Sequence, residues 1–92
     1  MENRNLTAFD GTLAGSPVTL SAHFGRASEW AITNLDASNN YTVTVQGTGA
    51  ADVVTPRQTV TIRVVSDSIT IDGAGDYQVL CAEKPGSIQV YW

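Results

Sequence analysis

The sequence predicts an all-β protein, an antiparallel β-sandwich of about seven or eight short strands in Greek-key or jelly-roll order. Three observations carry that expectation. Apolar and polar residues alternate with period two along most of the chain. No stretch shows the 3.6-residue period of a helix. Clusters of Gly, Pro, Asn, Asp and Ser separate the alternating runs at regular spacing.

The first run is the weakest: it covers residues 6–9 and extends past Asp10 and Gly11 to Leu13 if those two do not break it. After the turn Gly15-Ser16-Pro17, Val18, Leu20, Ala22 and Phe24 alternate with Thr19, Ser21 and His23. Trp30 and Ile32 alternate with Ala31 and Thr33 in the next run, and Ser38-Asn39-Asn40 mark the turn that follows. Tyr41, Val43 and Val45 then alternate with Thr42, Thr44 and Gln46. Residues 47–56, "GTGAADVVTP", are too rich in Gly for a regular strand and read as the longest loop. Val60, Ile62 and Val64 follow, then Ile69 and Ile71 after Ser66-Asp67-Ser68. Residues 72–76 read as a turn into Tyr77, Val79 and Cys81. Lys84-Pro85-Gly86 suits a type II turn, since Pro fixes φ near −65° and Gly accepts positive φ. Ile88, Val90 and Trp92 form a last strand that reaches the end of the chain. Residues 1–5 read as a flexible N-terminal arm and residues 6–92 as a single domain.

One segment resembles a known device. In "WAITNLDASNNYTVTVQG", Leu35 precedes Tyr41 by six positions, and Val43 and Val45 continue the alternation. This is similar to the tyrosine corner of fibronectin type III and immunoglobulin-like sandwiches. The resemblance implies a Tyr41 hydroxyl bonded to nearby backbone at a corner between sheets. Only 34 residues precede Leu35, too few for the earlier strands of those domains, so no ligand-binding residue is carried over.

Composition narrows the function. The chain has 92 residues, and a domain of that size buries only about 60–65% of its unfolded surface. Such domains gain stability from disulfides, metals or association. Cys81 is the single cysteine and His23 the single histidine, which excludes an internal disulfide and argues against a zinc site. Association is left. The formal charge is −4, and Arg4, Arg26, Arg57, Arg63 and Lys84 are scattered, so no basic stripe suits nucleic acid. The start "MENRNLTAF" has no long apolar run, which predicts neither a secretion signal nor a membrane helix. Its initiating Met fits a gene product made in the cytoplasm, and a domain cut from a longer chain fits equally. Charged residues are 15% of the chain against roughly 25% in an average protein. The hydroxyl-rich exterior in their place loses water cheaply against a partner, although Thr is also simply a good strand residue.

Candidate chemistry is sparse. His23 is the one obvious base for a nucleophile, and it sits in the polar phase with Thr19 and Ser21. Cys81 is in phase with Tyr77 and Val79, which predicts a buried, inert thiol. Asp67, Asp72 and Asp76 lie in adjacent turns, but calcium needs six to eight oxygen ligands, and Asp is a common turn residue in its own right. Asn5-Leu6-Thr7 and Asn40-Tyr41-Thr42 fit the glycosylation pattern at about the rate chance allows in a Thr-rich chain. These readings predict no catalytic residue, no cofactor and no metal.

From "MENRNLTAF" to "GSIQVYW", the overall character resembles small all-β accessory virion proteins of tailed bacteriophages, the capsid decoration or cement type. That resemblance implies a non-enzymatic structural protein of the virion, made in the host cytoplasm. It also implies a homo-oligomer, with a trimer favoured, that clamps the major capsid protein or another virion protein without nucleic acid or membrane. Three contact regions are expected. The first is the arm, with Glu2, Asn3, Arg4, Asn5 and Leu6. The second is the pair Val53 and Val54. The third is the end formed by Tyr91 and Trp92, where burying one Trp removes roughly 150–250 Å² from water, about 4–6 kcal/mol gross. An alternative of another class is an Ig-like or fibronectin-like module that recognises a protein or glycan through its loops.

Overall fold

Alternation becomes strand as soon as the described chain begins. The computed structural model describes residues 5–23, 25–46 and 51–85. All regular structure among them is β: β1 (Asn5–Ala14), β2 (Val18–Ser21), β3 (Gly25–Asn34), β4 (Tyr41–Val45), β5 (Ala51–Val54), β6 (Thr59–Ile62), β7 (Ser68–Asp72) and β8 (Ala74–Pro85). They form two four-stranded sheets, in the orders β1-β8-β3-β6 and β2-β7-β4-β5. Every pairing is antiparallel. The first strand pairs with the last, the second with the seventh, the third with the sixth and the fourth with the fifth.

One core draws on both sheets. The first sheet contributes Leu13, Trp30, Ile32, Ile62, Tyr77, Val79 and Cys81, and the second contributes Leu20, Tyr41, Val43, Val45, Val54, Ile69 and Ile71. In β4 the alternation predicted from the sequence holds, with Tyr41, Val43 and Val45 buried and Thr42 exposed. Burying Trp30 alone is worth roughly 4–6 kcal/mol gross. Its indole Nε1 is buried without a hydrogen-bond partner among the described residues, so part of that gain is offset.

The structure corrects several expectations. β1 takes in Asn5, assigned above to the arm, and follows the longer of the two courses left open above, running unbroken through Asp10 and Gly11. Gly11 survives inside a strand because the Tyr77 ring, its cross-strand partner, lies where a Cβ would stand. β3 begins well before Trp30. A register shift between Ala27 and Glu29 inserts one residue, so Ala27 and Trp30, three apart, both face the core. β2 stops at Ser21, which leaves His23 in the turn that follows. Residues 51–54 form the edge strand β5 and not a loop, because Val54 has a core site to fill opposite Tyr41. β6 stops at Ile62, so Val64 and Val65 are exposed and do not continue it.

Residues 72–76 are not an open turn either. Gly73 alone separates β7 from β8 as the chain passes from one sheet to the other. β8 also carries Lys84 and Pro85, expected in a turn, with Pro85 opposite Gly25. Between β5 and β6 the Gln58 N–H donates to the Thr55 carbonyl at 3.1 Å, which closes a turn over Pro56 and Arg57. The last strand expected from the sequence, with Ile88, Val90 and Trp92, lies outside the described residues.

Candidate interaction surface

The parity of β1 decides which side chains leave the core. Odd-numbered Thr7 and Leu13 are buried, so Leu6, Ala8, Asp10 and Thr12 point outward. Register carries the same split across the sheet. Ala8 lies opposite Leu80, and Leu80 lies opposite Ala31. One row away Leu6 lies opposite Ala82, and Ala82 opposite Glu29. The outward face of the first sheet therefore holds an apolar stripe, with Leu6 at 74% and Leu80 at 45% exposure as its large members. Charge borders it: Glu29 and Arg63 approach to 3.5 Å at one side, and Asp10 sits on the next row.

The outward face of the second sheet is different in chemistry. Thr19 and Thr70 meet hydroxyl to hydroxyl at 3.2 Å, and the Gln46 amide donates to the Thr70 hydroxyl at 2.8 Å. Val53 is the exposed large apolar side chain there, at 56%. Hydroxyls that already bond each other give up less to a partner than bare leucines do. Two of the large exposed apolar side chains, Leu6 and Leu80, thus stand on the first sheet, against Val53 alone on the second.

No family model, curated protein or solved structure matches this chain.

Among the described residues, those expected to meet a partner do not gather in one place. Leu6 stands on the first sheet and Val53 on the second. Val54 is withdrawn altogether: it is fully buried opposite Tyr41, because strand alternation turns one member of the pair inward. Asn5 is held by its backbone in β1, and Glu2, Asn3, Arg4, Tyr91 and Trp92 lie outside the described residues. Leu80 is not among the contact residues expected from the sequence. The signal was present, since it is a large apolar residue in the polar phase of Gln78 and between core members Val79 and Cys81.

His23 is exposed, and its ring meets the edge of Phe9 with centroids 5.4 Å apart. Cys81 is buried, and its thiol is pushed up to about 11, first by that burial and next by the Glu83 carboxylate. Such a thiol is a poor nucleophile at neutral pH. Glu83 itself is fully buried, which the sequence reading missed although it continues the inward phase of Tyr77, Val79 and Cys81. The Thr7 hydroxyl donates to its Oε2, and so does the Cys81 thiol at 3.7 Å. Asp67 approaches Arg26 at 3.9 Å, and Asp76 accepts from the Thr12 hydroxyl at 2.7 Å. Among the described residues no three His, Cys, Asp or Glu side chains come together in a way that could hold a metal.

The loop after β3 is locked by its own side chains. The Asp36 carboxylate accepts from the Ser38 and Asn39 N–H groups at 2.9 and 2.7 Å. Those two bonds, the Ser38 one foremost, hold its pKa below the usual 3.8. Asn34, buried at the end of β3, donates to the Asn39 and Val54 carbonyls and accepts from the Asp36 N–H. Burial, with Asp36 and Asp76 nearby, raises the Tyr41 phenol above its usual 10.0.

Proposed function

We propose that this chain is a non-enzymatic structural protein of a virion, a capsid decoration or cement protein that binds the major capsid protein or another virion protein. We propose also that its sheets form a β-sandwich in jelly-roll order. The nested pairing of first strand with last, second with seventh, third with sixth and fourth with fifth supports that order. It is what a single long hairpin yields when wound into two layers of four strands.

The observation that carries the functional reading is the outward stripe of Leu6, Ala8, Leu80 and Ala31 on one sheet, backed by a buried apolar core. Exposed apolar area gathered on one regular face is the ordinary signature of a protein-binding surface. A cement protein acts by adding such area between neighbouring subunits, and the shell gains stability by mass action as sites fill. Co-sedimentation with candidate capsid shells tests the reading. The protein should travel with the particle, and Leu80→Glu should release it. A protein that pellets with no shell, or a variant that binds as well as its parent, overturns the reading.

A recognition module is the second reading, favoured by the locked loop around Asp36. That loop fixes the backbone at Ala37 and Ser38 in an exposed position, as a preorganised contact requires. Substitutions at Ala37 and Ser38 that abolish binding to a protein or glycan, with Leu80→Glu silent, would favour it.

A further inference from the structure

Among the described residues β1 has a strand on one side only, namely β8. Edge strands invite pairing with other chains, and most are blunted by shortness, Pro, charge or a bulge. The other three edges follow that rule. β2, β5 and β6 have four residues each. Pro17 precedes β2, Asp52 lies within β5, and Arg63 follows β6. β1 breaks the rule. It runs for ten residues in unbroken register with β8, contains no Pro, Lys or Arg, and carries one charge, Asp10.

The direction of its free backbone groups follows from one bond. The Gly15 N–H donates to the Gly73 carbonyl at 3.0 Å, one step beyond the pair Ala14 and Ala74. Hydrogen-bonded pairs in an antiparallel ladder recur at every second residue. Odd-numbered residues of β1 therefore bond β8, while Leu6, Ala8, Asp10 and Thr12 turn N–H and C=O to the open side. These same residues place their side chains on the outward face.

We propose that β1 pairs antiparallel with the β1 of a second copy, about a two-fold axis through Phe9, to make one continuous eight-stranded sheet from two four-stranded ones. Residues directly opposite must share a face, so outward residues meet outward ones. An axis through Asp10 would set two carboxylates directly opposite, which is unfavourable. An axis through Ala8 or Gly11 shortens the overlap. The Phe9 axis pairs residues 5–13 of each copy, with Leu6 opposite Thr12 and Ala8 opposite Asp10. Phe9 is stacked on Trp30 with centroids 6.5 Å apart. At the axis it meets its own symmetry mate in a non-hydrogen-bonded pair, where backbones come within about 4.5 Å. Contacts of this kind are isologous and close on themselves. The arrangement does not rest on the capsid reading, and it is two-fold where the virion resemblance implies a trimer.

Sedimentation equilibrium of the full chain, without any shell, tests it. The wild-type protein should be a dimer that dissociates on dilution. Ala8→Pro removes an N–H that faces the open side and spares the β8 ladder. It should weaken the dimer about tenfold or more with the far-ultraviolet dichroism unchanged. Should that variant fail to fold, two charge variants decide. Ala8→Lys sets an ammonium opposite Asp10 of the second copy and should tighten the dimer by about threefold. Ala8→Asp should loosen it by a similar factor. A wild-type protein that stays monomeric at every concentration overturns the proposal. So does a dimer untouched by Ala8→Pro, or one that both charge variants shift the same way.

Discussion

The Tyr41 hydroxyl, carried by the second sheet, donates to the Asp76 carbonyl of β8 in the first sheet at 2.6 Å. The same carbonyl accepts from the Leu35 N–H at 3.1 Å. One oxygen thus closes the β3–β8 ladder and ties β4 to it. Around it the Asn39 amide donates to the Ala74 carbonyl at 2.9 Å. The result is a polar clasp over one end of the apolar core. It differs from the corner that the Leu35-to-Tyr41 spacing resembled. The tyrosine bonds a carbonyl far downstream in the opposite sheet, and Leu35 is exposed, not packed beneath it.

Tyr41→Phe should therefore lower stability by about 1 kcal/mol. The loss stays modest because Leu35 still serves the Asp76 carbonyl, so no buried acceptor is orphaned. Urea denaturation followed by tryptophan fluorescence measures it. A loss several times larger would mean that the ring packing changes as well.

Gly75→Ala is expected to be worse. Gly75 has φ +135°, and a Cβ there would stand 2.5 Å from the Tyr41 hydroxyl and 2.6 Å from an Asp36 carboxylate oxygen. Backbone strain and the displaced clasp together should cost roughly 2–4 kcal/mol. The melting temperature of the variant checks this, and Gly15→Ala provides a comparison. Gly15 has φ +86° with nothing near its missing Cβ, so strain acts there alone.

These residues also mark where sequence reading stops. Strands whose inward side is filled by every second residue, such as Tyr41, Val43 and Val45, were legible directly. The bulge between Ala27 and Glu29 was not, because it turns a two-residue period into a three-residue step. β5 was hidden by its flanking glycines and became strand only through the core site taken by Val54. Nothing local tells that Gly73 suffices to change sheets, since the ring that crowds it, Tyr41, and the Asp36 that joins Tyr41 at Gly75 come from far along the chain. The outward stripe is half legible: Leu80 is out of phase in its own strand, but its neighbours Ala8 and Ala31 are set by long-range register.

Stability should fall in alkali. Cys81 is raised from 9.0 to about 11 by burial and by Glu83. Below pH 9.0 the thiol is protonated in both folded and unfolded chains, so its contribution is fully present. As pH climbs toward about 11 the unfolded chain ionises first, and roughly 2–3 kcal/mol is lost. Tyr41, raised above 10.0, adds to the same limb. Melting temperatures measured across this range should drop steeply for the parent and less so for Cys81→Ala. Parallel curves would rule out the thiol as the source.

Acid acts through the other end of the clasp. Asp36 is held below its usual 3.8 by the Ser38 and Asn39 N–H groups. Its contribution is present above 3.8 and disappears as pH falls through the lower folded value. Asp36→Asn keeps an acceptor for those N–H groups but cannot titrate. The variant should be less stable than the parent at neutral pH, and the gap should narrow as pH falls below 3.8. A gap that stays constant with pH would remove the carboxylate charge from the account.

The outward stripe yields the prediction closest to function. Leu80 leaves 45% of its surface in water and faces away from the core, with only Ala8 and Ala31 beside it in its row. Replacing it with Glu removes little buried area, so folding stability should stay within about 0.5 kcal/mol of the parent. Binding should respond differently, because an apolar contact that expels water would then have to desolvate a carboxylate. Leu6→Glu, at the more exposed end of the stripe, should behave in the same way, while Val53→Glu on the opposite sheet should not. Denaturation curves and partner co-sedimentation measured on all three variants separate the faces. Equal loss of binding from Val53→Glu would move the contact to the second sheet.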